Sequence, residues 1–307
     1  MLSNQAQSLI LPSTQHDASQ TEREVLVGEY LKNKVHRVIS MILDKAGEMC
    51  GRGFIDQTSL LILGQKQLIE PAFRGTPNVV KSCVKAGTVR RVVLTSSAAA
   101  VSSRPLDGDG HVLDEQSWSD VEWLTSENPL VWGYSVSKVL VEKEACKFAV
   151  ENGISLVTVC PVLTVGKAPV SKVYTSIPAS LSLLSGNDAD LGMLKHAEKG
   201  GGGVPMVHVD DICPAEMFAA EEEAAAGRYL CCSLNTTVAQ LACFLTDKYP
   251  RYPVKTTMLS GDLLEKPRVC LSSAKLIREG FQYEYKTLGE IYDDVVEYGK
   301  VIGILPN

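Results

Sequence analysis

The sequence has no run of lysines and arginines, and its formal net charge is -6. A chain without a basic field does not neutralise a phosphate backbone, so we expect no nucleic acid partner. No apolar stretch approaches the roughly 20 residues that a bilayer requires. The longest apolar run near the N-terminus, Leu9 to Leu11, is too short for a signal-peptide core. These absences predict a chain with no membrane span that resides in the cytoplasm.

Paired cysteine spacings are also absent. The nine cysteines are an odd number, and none of them forms a CxxC pair. Zinc sites draw their thiolates from such closely spaced pairs, so the pattern predicts no metal and reduced, mostly buried thiols in a reducing compartment. Cys231 and Cys232 fall in a strand-like run and point to opposite faces, which favours two buried thiols over a redox pair.

From residue 65 onward the sequence alternates helix-like and strand-like segments. Residues 67–86 place apolar side chains at helical spacing and stop at Gly87, a suitable C-terminal cap. Val92–Leu94 and residues 154–160 are continuous apolar runs of the kind found in strands covered on both faces. The alternation predicts an α/β fold built on a Rossmann-like parallel sheet.

Several segments between and after these runs have weaker patterns. Residues 101–130 predict an ordered excursion with short helical pieces, and residues 161–203 an irregular substrate-side excursion in which Gly200 to Gly203 form a flexible loop. The run VPMVHVDD predicts a strand entering a helix, with Asp210 and Asp211 as helix caps and His208 as a structural hydrogen-bonding group. Residues 287–302 predict an amphipathic helix.

The first 64 residues differ in kind from the rest. Apolar residues at helical spacing predict one long amphipathic helix from Thr21 to Met49, and residues 59–63 could be a strand. Residues 1–20 predict disorder. Because at most one strand is available here to flank the strand at Val92, we expect the N-terminal part of the sheet to be incomplete.

Tyr134 and Lys138 stand four residues apart in the run WGYSVSK, on a segment that predicts a helix from residue 134 to residue 150. At this spacing two side chains share one face of a helix. Reduction of a carbonyl needs a proton as well as a hydride, and a tyrosine can supply the proton. Bringing a tyrosine from a pKa near 10 to neutrality takes about 4 kcal/mol of phenolate stabilisation, which a lysine charge can provide.

Ser97 follows the predicted strand at Val92–Leu94, where a hydroxyl could hydrogen-bond the substrate oxygen. Open α/β sheets bind ligands at the carboxyl ends of their strands, so the serine, the tyrosine and the lysine are predicted to form one site. The spacing alone is weak, since Tyr30 and Lys34 repeat it in the N-terminal segment without a serine-bearing strand before them.

Around these residues the chain resembles the extended short-chain dehydrogenase/reductases of the plant flavonoid branch, and within that branch the anthocyanidin reductase family. The resemblance covers about residues 67–304, and dihydroflavonol and cinnamoyl-CoA reductases share the same framework. The strings that carry it are RRVVLTSSAAAV, LDGDGHVLDEQSWSDVEWL, WGYSVSKVLVEKEACKFA, ISLVTVCPVLTVG, HVDDIC and GRYLCCSLNT.

The resemblance implies NADPH-dependent reduction of anthocyanidins to flavan-3-ols, with Ser97, Tyr134 and Lys138 as the proton-handling triad. It also implies cofactor contacts from Pro161, Val162, Leu163, Thr164 and Ser180, and a small-molecule flavonoid as the partner. The predicted domains are a divergent segment at 1–64, a Rossmann-like core at 65–160 and 204–235, and a smaller substrate lobe at 161–203 and 236–307.

One element of that family pattern is missing. A dinucleotide site on this fold needs a strand, then GxGxxG or a close variant that opens a helix. The nearest strings are CGRGF at 50–54 and GGGG at 200–203, and neither provides it. Without those backbone amides the pyrophosphate loses its principal anion site. The alternative hypothesis is therefore a truncated, catalytically silent homologue that binds a flavonoid or a partner protein; a dihydroflavonol or cinnamoyl-CoA type of reductase is a further alternative.

Overall fold

The computed structural model describes residues 38–42, 69–129, 131–168, 176–254 and 263–307. Nine strands are described in these ranges. They are β1 Val38–Ile42, β2 Arg91–Thr95, β3 His111–Leu113, β4 Ser155–Pro161, β5 Leu163–Val165, β6 Val204–His208, β7 Gly227–Cys231, β8 Leu234–Thr236 and β9 Val269–Leu271.

Nine α-helices are described alongside the strands. They are α1 Glu70–Ala86, α2 Val121–Glu127, α3 Trp132–Glu151, α4 Ser176–Ser185, α5 Asp188–Gly201, α6 Val209–Glu221, α7 Val238–Lys248, α8 Ala274–Arg278 and α9 Leu288–Val301. A short 3₁₀-helix spans Ala98–Ala100.

The central sheet has four strands in the order β1-β2-β4-β7, and every neighbouring pair is parallel. Val92, Val93 and Leu94 are all buried, as expected for a strand covered on both faces. Helix α1 ends at Gly87, whose φ of 66° lies in the left-handed region that favours glycine. The predicted parallel α/β fold is confirmed from residue 69 onward.

The long helix predicted from Thr21 to Met49 is wrong at Val38–Ile42. These residues form β1, which pairs in parallel with β2 from Val38 opposite Arg91 to Ile42 opposite Thr95. The run VISMI is rich in β-branched and apolar residues, and an open strand edge favours pairing over a local helical preference. The predictions for residues 1–37 and for a strand at 59–63 lie outside the described residues.

The predicted irregular segment at 161–203 contains regular structure. Strand β5 and helices α4 and α5 occupy most of its described part. In α4 the Ser182 hydroxyl donates to the Ala179 carbonyl at 2.6 Å, so a buried serine is satisfied inside the helix. The serines and prolines that suggested a loop are therefore compatible with helices packed on an apolar lobe.

Two apolar clusters stabilise the fold. One lies against the central sheet and includes Val93, Val157 and Leu230. The other joins α4, α5, α7 and α9 to the small β5-β6-β8 sheet, with Leu181 and Val295 among its fully buried members. Within the described ranges, no helix is long and apolar enough to cross a bilayer.

Candidate active site

The carboxyl ends of β2 and β4 meet at one edge of the central sheet. Because the strands are parallel and paired from Arg91 to Thr95, the residues that follow them emerge side by side. The Ser96 amide donates to the Val159 carbonyl at 2.7 Å, which extends the pairing by one step. Ser97 comes next and caps the 3₁₀-helix, accepting from the Ala99 amide at 3.2 Å. The half-buried Ser97 hydroxyl thus lies at the edge where α/β sheets bind ligands.

Tyr134 and Lys138 lie in the first two turns of α3. The Lys138 ammonium is 5.4 Å from the centre of the Tyr134 ring, so the two side chains share a face as their spacing predicts. Both are half-buried. The helix begins after Val131, which has a φ of 59° that is uncommon for a β-branched residue. A strained entry of this kind persists only where the surrounding packing fixes it.

The start of α3 is attached to the segment that follows Ser97. The hydroxyls of Ser103 and Ser135 lie 3.2 Å apart, and Ser135 is the residue after Tyr134. Ser119 donates to the Ala99 carbonyl at 2.7 Å and accepts from the Ser103 amide at 2.8 Å. These contacts connect the serine-bearing turn to the tyrosine-bearing helix.

Glu142 is a fully buried carboxylate on the same helix, four residues after Lys138. Its side chain is 0% exposed. Oε2 accepts from the Ser96 hydroxyl at 2.7 Å, and Oε1 accepts from Nε of Arg228 at 2.5 Å. Burial raises the pKa of Glu142, whereas the positive charges of Arg228 and, to a smaller extent, Lys138 act against that rise.

Arg228 lies in β7 and is 9% exposed. Besides Glu142, its guanidinium donates to the carbonyls of Glu115 and Ser117 at 2.8 and 2.7 Å. It also stacks on the Trp118 ring at 3.7 Å. One arginine therefore joins the central sheet, helix α3 and the excursion that follows Ser97.

The other predicted cofactor residues lie in two places. Pro161 ends β4 beside the carboxyl edge, and Val162 donates its amide to the Cys231 carbonyl at 3.3 Å. Leu163 and Thr164 begin β5 and are half-buried. Ser180 is instead fully buried in α4, where its hydroxyl donates to the Ile177 carbonyl at 2.8 Å. The approach of Ser180 to a cofactor stays a prediction.

A cavity of about 210 Å³ lies beyond the loop that follows Ser97. Its walls come from that loop, from Trp123, from the end of α5 and from Arg268, but Ser97, Tyr134 and Lys138 do not line it. The end of α5 and Arg268 belong to the predicted substrate lobe. The cavity adjoins the serine-bearing segment and does not enclose the tyrosine.

The residues of this edge fit one end of a dinucleotide. Tyr134, Lys138 and the segment 161–164 could hold the nicotinamide ribose, since they lie around one sheet edge. The glycines at 200–203 do not fit the pyrophosphate, and they are not the flexible loop predicted from the sequence. Gly200 and Gly201 end α5, and Gly202 caps it with a φ of 74°. A helix C-terminus presents carbonyls and partial negative charge, which repel an anion.

His208 and Asp211 have structural roles, but the prediction that Asp210 and Asp211 cap the helix is wrong, because both lie in the first turn of α6. His208 caps α6 itself, because its Nδ1 accepts from the Asp210 amide at 3.2 Å. Its other nitrogen lies 3.1 Å from the Asp294 carboxylate, and its ring stacks on Tyr285. Asp211 accepts from the amides of Glu284 and Tyr285 and so anchors the chain before α9.

Cys231 and Cys232 are both buried, as their alternation predicted. Burial raises the pKa of each thiol to about 12, which keeps both protonated at neutral pH.

Glu142 and Arg228 were not predicted from the sequence. Two signals could have identified them: Glu142 continues the four-residue spacing of Tyr134 and Lys138 on a mostly apolar helix, and Arg228 is a charge inside the apolar strand GRYLC. Charged residues at such positions are rarely buried without a partner.

Comparison with known proteins identifies relatives over most of the chain. The model of the NAD dependent epimerase/dehydratase family matches residues 62–232. An anthocyanidin reductase ((2S)-flavan-3-ol-forming) from Vitis vinifera is 47% identical over 243 residues, which are 79% of this chain and 71% of that protein. A dihydroflavonol 4-reductase from Zea mays is 38% identical over 244 residues, 79% of this chain and 65% of that protein.

A solved structure supports the same grouping. Vestitone reductase from alfalfa (Medicago sativa L.) is 33% identical, with a TM-score of 0.66 over 78% of this chain and 73% of that one.

Proposed function

The chain belongs to the NAD-dependent epimerase/dehydratase family, and we propose that it is an NADPH-dependent reductase of a flavonoid-type substrate, an anthocyanidin reduced to a flavan-3-ol. The observation that carries the proposal is the 47% identity to an anthocyanidin reductase, against 38% to a dihydroflavonol 4-reductase. The proposal is also supported by Ser97 at the carboxyl edge of the sheet and by the Tyr134–Lys138 pair at the start of α3.

In this proposal the chain's own residues supply the proton and the orientation. Bound NADPH would supply the hydride. Tyr134 gives a proton to the substrate, and the Lys138 ammonium, 5.4 Å from the ring, stabilises the phenolate that is left behind. The Ser97 hydroxyl holds a substrate oxygen from the opposite side. Pro161, Val162, Leu163 and Thr164 shape the wall where the nicotinamide would lie, and the loop after Ser97 forms part of the substrate wall.

A reduction assay with product analysis tests the proposal. The purified chain is incubated with NADPH and cyanidin, and both NADPH oxidation and the flavan-3-ol formed are quantified. A flavylium ion becomes a flavan-3-ol by taking up two hydrides and one proton, so the expected ratio is two NADPH consumed for each product molecule. Replacing cyanidin with a dihydroflavonol distinguishes the substrate class. Faster reduction of the dihydroflavonol would replace the anthocyanidin assignment with the dihydroflavonol one.

A flavonoid-binding protein without catalysis is the second candidate. The observation that favours it is that the only four-glycine run of the sequence ends a helix and does not open one. Calorimetric titration of the chain with cyanidin, together with the NADPH oxidation assay on the same substrate, separates the two candidates. Flavonoid binding with no NADPH consumption would favour the binding protein.

A further inference from the structure

We propose that Glu142 is a positioning residue, which fixes the turn carrying Ser97 against the helix carrying Tyr134 and Lys138 and sets the charge behind that pair. This inference rests on the proposed function for its meaning. The structural contacts that support it do not depend on a bound cofactor.

Glu142 lies on the same helix as Tyr134 and Lys138. Tyr134, Lys138 and Glu142 follow one another at four-residue intervals and form a stripe along α3. Lys138 is close enough for its charge to act on the Glu142 carboxylate. A fully buried anion on this stripe therefore lies directly behind the proton-handling pair.

Each oxygen of the Glu142 carboxylate accepts a hydrogen bond from a different part of the fold. Oε2 takes the hydroxyl of Ser96, the residue joined directly to Ser97. Oε1 takes Nε of Arg228, whose other contacts hold the carbonyls of Glu115 and Ser117. Charge-assisted hydrogen bonds of this kind have narrow geometry, so the carboxylate fixes β2, β7 and α3 relative to one another.

The negative charge of Glu142 is compensated inside the fold. An unpaired buried carboxylate is strongly disfavoured, and Arg228 supplies the compensating charge. The described groups that act on Glu142 come from α3, from β4 and β7, and from the residue that follows β2. They are Lys138, Cys146, Ser96, Cys160 and Arg228. Neutralising Glu142 alone leaves an excess of positive charge behind Tyr134.

The test is a titration of the Tyr134 phenol, which needs neither cofactor nor substrate. Tyrosinate absorbance is followed against pH, and the same titration of the Tyr134→Phe form is subtracted. Glu142→Gln keeps the side-chain shape and removes the charge, so the phenol should ionise about half a pH unit lower or more. Arg228→Met removes the opposite charge and should move the ionisation to higher pH. Glu151→Gln, at the exposed end of the same helix, is the matched control and should move nothing.

Shifts of the phenol ionisation in opposite directions in the two variants would support the inference. A general loss of packing would shift the ionisation in the same direction in both. Unchanged titrations in folded Glu142→Gln and Arg228→Met would overturn the inference. If the chain reduces cyanidin, Glu142→Gln should also lower kcat about tenfold with little change in KM, and Glu142→Asp should restore part of it. If the chain reduces nothing, the titration still decides the inference, so its failure and the failure of the proposed function are distinguishable.

Discussion

The carboxyl edge of the central sheet and the glycine run at 200–203 are fixed by opposite means. At the edge, a buried carboxylate, a buried guanidinium and several serine hydroxyls hold the elements that carry the proposed reactive side chains. The glycine run is instead fixed by close packing, because a Cβ on Gly202 would lie 2.6 Å from a Val269 methyl group. The comparison teaches that a network of polar side chains can fix the orientation of neighbouring side chains. The close-packed end of α5 only allows its backbone to approach the segment at Val269.

The largest expected effect is at the edge. Tyr134→Phe removes the proposed proton donor, and we expect cyanidin reduction to fall between about a hundredfold and ten-thousandfold, the range of general acid catalysis. NADPH oxidation and flavan-3-ol yield measure it. Tyr30→Phe alters the other tyrosine that precedes a lysine by four residues and serves as the control, with activity expected to be unchanged. Equal losses in the two variants would contradict the assignment.

The next effect concerns the network that supports the edge. Arg228→Met leaves the fully buried Glu142 without its charge partner and should lower the free energy of unfolding by about 3 to 5 kcal/mol. Urea denaturation measures the change. Arg278→Met, on the exposed side of α8, should change it by less than about 0.5 kcal/mol. A cost for Arg228→Met as small as that of the control would mean that the buried pair contributes little.

A third prediction concerns Glu216 of α6, beneath the same edge. It accepts from the Thr95 hydroxyl at 2.7 Å, and its Oε2 has no hydrogen-bond partner in the described part of the chain. Burial raises the pKa of this carboxyl from 4.5 to about 7, against the effect of the Thr95 hydrogen bond. The folded state therefore holds the proton more tightly than the unfolded chain, and stability should fall as pH rises from about 4.5 to about 7.

The size of that fall is roughly 3 kcal/mol, because each pKa unit corresponds to about 1.4 kcal/mol. Glu216→Gln should flatten this dependence when the free energy of unfolding is measured between roughly pH 5 and 8. An unchanged slope in the variant would assign the dependence to other groups.

The smallest effects are at the glycine run. Gly202→Ala places a Cβ at a φ of 74° against Val269 and should destabilise the protein by about 2 kcal/mol. Gly200→Ala lies two residues earlier, inside α5, where nothing is within 4 Å of the new Cβ. It should stabilise by about 0.5 to 1 kcal/mol, since alanine favours helix. Urea denaturation of the two variants measures both changes in the free energy of unfolding. Equal changes would contradict the role of close packing at Gly202.

The sequence predicted the parts of the fold that depend on local pattern. Three such local patterns lie in the structure as expected. They are the buried apolar run Val92–Leu94, the helix that ends at Gly87, and the shared helix face of Tyr134 and Lys138. Strand β1 was missed because its formation depends on an open edge of β2 and overrides the helical spacing around it.

The buried network was missed for a different reason. Glu142 and Arg228 are 86 residues apart in the chain, and only the fold brings them to 2.5 Å. The glycine run was misinterpreted because composition alone does not distinguish a flexible loop from a helix cap; the left-handed φ of Gly202 does.

Binding of NADPH to the purified chain tests the central claim most directly, because Tyr134 can act as a reductase acid only with a hydride donor beside it. Nicotinamide fluorescence should be followed as the chain is titrated into NADPH, with Lys138→Met as the comparison. The account predicts binding in the micromolar range that weakens in the variant. No binding at millimolar cofactor would contradict the reductase assignment.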